Sequence, residues 1–233
     1  MMGTVKKRIR CSGKEMTAVV LAGGRGKRMK ADKARLAVGG RTLLEHVLGQ
    51  LEPYFGEILV SVSRGQKAEL PAGSRSRAKA EKRGAAASRS ASFGVVVDEV
   101  PDLGPLGGIL AGLKAATNDA CAVVACDIPD IDVPLLRSLA RAVSEADIAV
   151  TVGPAGHYEP LFAVYRRSVV PEIEALLRSG ERSVIPLFGR CRTAALRFED
   201  AGRLRNLNTR ADYREYLKSL KGTWRKQEKS LKL

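Results

Sequence analysis

Cysteine and histidine are scarce in this sequence. Its 233 residues include four cysteines and two histidines, and no two of the cysteines, Cys11, Cys121, Cys126 and Cys191, form a CxxC pair. Structural zinc sites and disulfide scaffolds depend on shorter and more regular cysteine spacings. The composition therefore argues against both, and it predicts free thiols in the reducing cytoplasm.

Long apolar runs are missing as well. No run reaches the roughly 18 residues that a membrane-spanning helix needs. No apolar segment follows the basic residues near the start of the sequence, as it would in a secretory signal. We therefore expect a cytoplasmic protein that has no membrane partner and folds around one sizeable core.

Acidic residues are outnumbered, because 40 lysines and arginines face 25 aspartates and glutamates, a formal net charge of +15. The whole excess lies in residues 1–15, 64–93 and 218–233, and the rest of the chain is neutral. A basic groove on the folded body is therefore not indicated. We predict flexible basic tails at 1–15 and 218–233, a flexible basic insertion at 64–93, and no nucleic-acid partner. Weak attraction to RNA, DNA or anionic lipid is the alternative.

Short β-branched runs alternate with stretches of helical periodicity along the remaining sequence. Such alternation predicts an α/β fold of three layers, with a Rossmann-like, mostly parallel sheet between helices on both faces. The predicted strands are Thr17–Leu21, Glu57–Val62, Gly94–Val97, Cys121–Ala125, Asp147–Val152, Pro160–Tyr165 and Thr193–Phe198. The predicted helices are Thr42–Leu51, Pro105–Ala116, Pro134–Ser144, Val169–Ser179, Ser183–Phe188 and Asn208–Leu220.

A glycine-rich basic loop follows the first predicted strand. Its glycines let the backbone turn sharply, and successive N–H groups can then cradle phosphate oxygens. Its cations supply the positive charge that a departing pyrophosphate needs. The pattern is neither GxGxxG nor GxxxxGK[ST], and a glycine turn with solvated basic residues is the alternative. The loop contains Gly23, Gly24, Gly26, Arg25, Lys27, Arg28, Lys30 and Lys33.

Two further candidate sites also follow predicted strands. Asp127 ends the CAVVA strand, where a carboxylate can bind Mg²⁺, or can cap a turn before Pro129. Asp98 precedes the glycines of GPLGG, which would let a helix start close to a ligand, or form an ordinary helix start. Because parallel sheets bind ligands at the carboxyl ends of their strands, we expect all three sites to meet there.

The three sites lie in longer segments that have a family resemblance. In order, the segments are LAGGRGKRMKADKARLAVGGRTLLEHV, DEVPDLGPLGGILAGL, CDIPDI, EPLFAVYRRSVVPEIEALLRSGERSV and RNLNTRADY. Together they resemble the MobA family of molybdenum cofactor guanylyltransferases over most of Thr17–Tyr216. The resemblance implies a nucleotidyltransferase domain over residues 16–217 that transfers GMP from GTP to the phosphate of molybdopterin, forming the guanine dinucleotide cofactor and pyrophosphate, with Mg²⁺.

The resemblance also implies roles for individual residues. The catalytic groups would be Arg28, Lys33 and Asp127, and Asp127 would bind the metal. Asn206 and Asn208 would face the acceptor. The nucleotide would contact Leu21, Ala22, Gly23, Gly24, Lys33, Ser61, Asp98 and Asp127. Two residues depart from the family pattern, since Lys30 stands where a glycine is usual and Ser61 where an asparagine is common.

Other functions remain open at this level. A related nucleotidyltransferase would use CTP or another acceptor, such as a corrinoid. A non-catalytic protein would bind molybdopterin or nucleic acid without releasing pyrophosphate. Under the favoured interpretation, the partners are GTP, molybdopterin and molybdoenzyme-maturation proteins.

Overall fold

The computed structural model of the chain describes residues 15–23, 33–66, 75–76, 92–98, 103–200 and 202–230, and gives only the backbone of residues 75–76 and 221–230. The strands in these ranges are β1 Met16–Leu21, β2 Ala37–Val38, β3 Arg41–Thr42, β4 Glu57–Ser63, β5 Arg75–Ser76, β6 Ser92–Asp98, β7 Ala120–Ala125, β8 Ile148–Val152, β9 Tyr158–Arg166 and β10 Thr193–Arg197. The α-helices are α1 Leu43–Leu51, α2 Gly104–Ala115, α3 Val133–Ala142, α4 Val170–Arg178, α5 Ile185–Arg190 and α6 Arg210–Ser230.

Eight of the strands form one sheet in the order β10-β8-β9-β7-β1-β4-β6-β5. Every pair in it is parallel except the two that β9 makes with β7 and β8. The predicted, mostly parallel sheet is confirmed. The exception has a simple cause, because a parallel connection needs a crossover of a dozen or more residues, and the turn between β8 and β9 is far shorter.

Helices cover both faces of the sheet, which confirms the three-layer arrangement. Alternate residues of β1 point to opposite faces: Ala18 and Val20 join the core beneath α1 and α3, while Val19 joins the core beneath α2, α4 and α5. Many of these aliphatic side chains are fully buried, and each contributes roughly 1.5–3 kcal/mol of transfer free energy. Cys121 and Cys126 are buried in these cores and form no disulfide, and burial raises the pKa of Cys121 to about 12.

Side-chain caps set the starts of α1 and α3. Thr42, the first residue of the predicted helix, is the N-cap of α1: Thr42 Oγ1 accepts a hydrogen bond from Glu45 N at 3.2 Å, and the Glu45 carboxylate accepts one from Thr42 N at 2.8 Å. This reciprocal capping box fixes where α1 begins. Helix α3 begins before the predicted Pro134, because Asp132 caps it by accepting from Leu135 N at 2.8 Å.

The last helix, α6, packs against the small hairpin of β2 and β3. Val38 and Leu43 bury themselves there with Leu207 and Tyr216. The helix continues ten residues past the predicted end at Leu220, into the segment that we predicted as a basic tail. Most of the predicted N-terminal tail and insertion lies outside the described residues, so that division into domains stays a prediction. No helix in the described ranges is long and apolar enough to span a bilayer.

Candidate active site

Four strand ends meet at the carboxyl-terminal edge of the sheet. The register pairs Leu21 of β1 with Ser61 of β4 and with Ala125 of β7, and it pairs Ser63 with Asp98 of β6. From β1 the chain proceeds through β4 to β6 on one side, and it then returns to β7 on the other side of β1. Such a reversal of strand order is where α/β sheets bind ligands.

The glycine loop leaves β1 tightly against β4. Ala22 N and Gly23 N both donate to the Ser61 carbonyl, at 2.9 and 3.1 Å. A Cβ on Gly23 would lie 2.8 Å from Ser63 Oγ and 2.9 Å from Ser63 N, so only glycine fits at this position. The following residues of the loop, including Gly24, Arg28 and Lys30, lie outside the described residues, so their roles stay predictions.

The start of α2 lies over the ends of β6 and β4. A Cβ on Gly107 would lie 2.2 Å from Asp98 Oδ2, and one on Gly108 would lie 3.2 Å from both Ser61 Oγ and Leu21 Cδ2. The glycines therefore let the first turn of α2 approach these residues closely. The arrangement offers a ligand the carboxylate of Asp98 as acceptor and the positive end of a helix dipole.

Lys33 and Asp127 form an ion pair across the site. Lys33 Nζ donates to Asp127 Oδ2 at 2.7 Å and to Asn208 Oδ1 at 2.9 Å. The side chains of Lys33 and Asp127 are 18% and 20% exposed, so both are sheltered yet reachable by a ligand. The structure thus brings together a cation from the glycine-rich loop, a carboxylate from the end of β7 and an amide from the segment before α6.

The backbone next to Asn208 is also bonded to Asp127. Leu207 N donates to the Asp127 carbonyl at 2.8 Å, and the Leu207 side chain is fully buried. Asn206 and Asn208 flank this anchor, with Asn206 half-buried and Asn208 exposed. The side chain of Asn208 bonds to Lys33, a contact that its predicted role towards the acceptor did not include.

A family model supplies the deciding comparison. The model of the MobA-like NTP transferase domain matches residues 18–194, which include the ends of β1, β4, β6 and β7. The chain belongs to this family. The match stops before α6, so Asn208 lies outside the matched range of the MobA-like domain, whereas its partner Lys33 lies within it.

Named relatives of the MobA-like chain are similar over most of its length. The molybdenum cofactor guanylyltransferase of Vibrio cholerae is 35% identical over 196 residues, which cover 82% of this chain and 86% of that protein. The protein of the same name from Vibrio parahaemolyticus is 33% identical over 195 residues, covering 82% and 89% of the two chains.

A solved structure of similar name has the same fold. Molybdopterin-guanine dinucleotide biosynthesis protein A from Archaeoglobus fulgidus superposes with a TM-score of 0.64, covering 88% of this chain and 99% of that one. The two sequences are 23% identical. At that identity the likeness establishes the three-layer fold of the MobA-like chain and leaves its ligands to be argued from the site.

The chemistry of Asp127 suits a magnesium ion. Lys33 holds Oδ2, and no donor among the described residues occupies Oδ1. Mg²⁺ is held through one or two carboxylates and completes its shell with substrate phosphates and water. The described ranges contain no group of three or more His, Cys, Asp and Glu side chains that would hold a metal unaided. The donors therefore fit an ion that arrives with a nucleotide.

Two features of this edge were missed in the sequence. Glu159, near the start of β9, is half-buried, and burial raises the pKa of its carboxyl group. Its only signal is an acidic residue directly before Pro160 in a predicted strand. Tyr216 packs in the core, and its hydroxyl also bonds to Asp130 and His46. Helical spacing indicates the packing of Tyr216 and gives no sign of these bonds.

Proposed function

We propose that the protein transfers GMP from GTP to the terminal phosphate of molybdopterin, releasing pyrophosphate. The family and the names of the relatives support this reaction. The observation that carries it is the pairing of Lys33 with Asp127 at the strand ends. A protein that only bound molybdopterin or nucleic acid would not need a cation and a metal-type carboxylate side by side.

The triphosphate would lie along the glycine loop, between β1 and the start of α2. Backbone N–H groups at Gly23 and beyond would bind phosphate oxygens, and Asp98 would accept hydrogen bonds from the nucleoside. The acceptor would approach from the side of Asp127 and Asn208. Because an attacking phosphate is already anionic at neutral pH, positioning and charge stabilisation supply the catalysis and no general base is needed.

Lys33 is arranged to serve the carboxylate and the phosphates together. An ammonium group has three donors, and Asp127 and Asn208 take two of them. No other described residue takes the third, which would bond to a phosphate oxygen, so Lys33 would stabilise charge on the departing pyrophosphate while it orients Asp127. Asp127 would hold Mg²⁺, which when bound supplies positive charge to the phosphates.

The proposal extends to place and partners. We place the reaction in the cytoplasm, where GTP and a reducing thiol pool occur together, and the described cysteines form no disulfide. The product, a cofactor joined to a nucleotide, would pass to proteins that load it into molybdoenzymes.

The direct test is mass spectrometry of the product formed from molybdopterin, Mg²⁺ and GTP. We expect the mass of molybdopterin to increase by one GMP unit, with one pyrophosphate released per product. The same reaction with CTP tests the base. Product from CTP in preference to GTP contradicts the assignment of guanine, and nucleotide binding without pyrophosphate release contradicts catalysis.

The first prediction concerns the ion pair. Lys33→Gln and Asp127→Asn keep the size of each side chain and remove its charge, so each should lower kcat by about 100-fold or more. Lys114→Gln is the matched control, because Lys114 pairs with Glu174 on the outer helices, far from the strand ends. If Lys33→Gln or Asp127→Asn turned over as fast as Lys114→Gln, the residue replaced in that site variant would have no part in the mechanism.

A further inference from the structure

The segment after Asp127 is held by a glutamine of α1. Gln50 Nε2 donates to the Pro129 carbonyl at 2.7 Å, and Gln50 Oε1 accepts from Ile131 N at 3.0 Å. One side chain thus bonds to the backbone on both sides of Asp130. Since the held segment begins two residues after Asp127, its position constrains the backbone that leads out of Asp127.

The side chain of Asp130 is held from α6. The Tyr216 hydroxyl donates to Asp130 Oδ1 at 2.9 Å and also lies 3.1 Å from His46 Nε2 on α1. Tyr216 is 2% exposed, so its ring is fixed in the core while its hydroxyl reaches the loop. Asp130 itself is exposed, and a free aspartate at such a position would turn to solvent.

The Tyr216 hydroxyl has one proton and two polar neighbours, Asp130 and His46. A carboxylate only accepts hydrogen bonds, so the single hydroxyl proton of Tyr216 goes to Asp130. The Tyr216 oxygen is then left to accept from His46 Nε2 in the tautomer that carries its proton there. Through these contacts Tyr216 joins α6 to the loop that follows Asp127.

We propose that Tyr216 is a positioning residue for the reaction, acting through Asp130 on the loop that carries Asp127. The inference rests on the proposed function, because it concerns the same Asp127. The described side chains of α6 make no hydrogen bond or ion pair with Lys33 or Asp127, so α6 acts on turnover through this hydroxyl. Loss of the hydroxyl frees the Asp130 side chain, the loop relaxes, and the Asp127 carboxylate moves away from the phosphates. Small displacements of a reacting group have large effects on rate.

The test compares two tyrosines on one helix. Tyr216→Phe removes the hydroxyl that reaches Asp130, and Tyr213→Phe removes one that donates to the Ala37 carbonyl in the β2–β3 hairpin. With GTP, molybdopterin and Mg²⁺, we expect Tyr216→Phe to lower kcat about tenfold. It should also raise the Mg²⁺ concentration that gives half-maximal rate, with little change in KM for GTP. Tyr213→Phe should match the wild type in all three.

Variants of Asp130 show whether the effect runs through the carboxylate. Asp130→Asn keeps an oxygen that accepts from Tyr216, so it should retain most of the wild-type rate, whereas Asp130→Ala should resemble Tyr216→Phe. Combining Asp130→Ala with Tyr216→Phe should lower kcat no further than either change alone, because both break the same bond.

The possible results of these experiments distinguish a failure of this inference from a failure of the proposed function. Wild-type kcat and Mg²⁺ dependence in Tyr216→Phe would overturn the positioning role while leaving the transferase intact. A lower rate with unchanged Mg²⁺ dependence, together with a lower Tm, would reduce Tyr216 to a structural residue and also overturn it. A wild-type protein that transfers no nucleotide would overturn the proposed function, and this inference with it.

Discussion

Individual carboxylates at the carboxyl-terminal edge of the sheet differ in how well they are satisfied. Asp127 accepts a hydrogen bond from Lys33, and Asp130 accepts one from Tyr216. Glu159 is half-buried, and no described residue donates a hydrogen bond to its side chain. Burying a carboxylate without a partner costs stability, and such groups concentrate at functional sites.

The burial of Glu159 predicts how the stability of the protein depends on pH. Burial raises the pKa of Glu159 above its ordinary value of 4.5, so the folded state binds this proton more tightly than the unfolded state. The contribution of this carboxyl group to the free energy of unfolding is fully present below pH 4.5, and it is lost as the pH rises through the raised pKa. Glu159→Gln cannot ionise, so its Tm should exceed that of the wild type at pH 7 and approach it near pH 4.

Thermal denaturation at pH 4, 5 and 7 measures the difference. Glu145→Gln, at an exposed glutamate, is the control for losing one negative charge from the surface. A Tm for Glu159→Gln that equals or falls below the wild type at pH 7 would show that the carboxylate is satisfied in the folded protein.

At the scale of elements, α2 uses its glycines for two different purposes. At Gly107 a Cβ would meet Asp98 Oδ2 at 2.2 Å, so this glycine makes room for a side chain of the candidate site. At Gly112 a Cβ would meet Val19 Cγ1 at 2.4 Å, which concerns the packing of the helix on the sheet. The same substitution at the two positions should therefore have different consequences.

We expect Gly107→Ala to displace Asp98 or the first turn of α2 and to raise KM for GTP about tenfold. Gly112→Ala should lower the Tm without changing KM for GTP. Gly189→Ala on α5 is the control, because nothing lies within 4 Å of its added methyl group. Steady-state kinetics and thermal denaturation of the three variants check this, and a wild-type KM in Gly107→Ala would separate Asp98 from nucleotide binding.

Elements with their own local signals were predictable from the sequence. The capping residues of α1 and the continuous burial of the central strands β1, β4 and β7 follow from short-range patterns, and so do the positions of Asp98 and Asp127 at strand ends. The direction of β9 was not predictable from its residues, because direction depends on the length of the turn before it. The contacts of Lys33 with Asn208 and of Tyr216 with Asp130 depend on how distant segments pack, which no local pattern encodes.

At the scale of the whole molecule, the carboxyl-terminal edge of the sheet holds the candidate site, whereas polar contacts at the amino-terminal edge stabilise the fold. At the amino-terminal edge, Glu57 accepts hydrogen bonds from Thr17 and Thr117. Nearby, Arg166 donates to the Val143 and Ala146 carbonyls and pairs with Asp119. These side chains are held by one another and by backbone carbonyls. Strands of six residues place this edge about 20 Å from the site.

Arg166→Met tests this division of tasks. Removal of the guanidinium leaves two buried carbonyls without donors, and the free energy of unfolding should fall by roughly 2 kcal/mol or more. At temperatures where the variant is fully folded, kcat should match the wild type. Chemical denaturation and kinetics measure the two quantities, and a lower kcat in a stable variant would show that the edges are coupled.

The bond between Lys33 and Asn208 joins residues 175 positions apart. A ribosome releases the N-terminal part of a chain first, so β1 and its glycine loop emerge long before the segment that carries Asn208. Until then the nascent chain has the glycine loop that we propose binds phosphate, without the groups that complete the site. Translation itself therefore times the onset of activity, and we expect a polypeptide interrupted before Asn208 to consume no nucleotide.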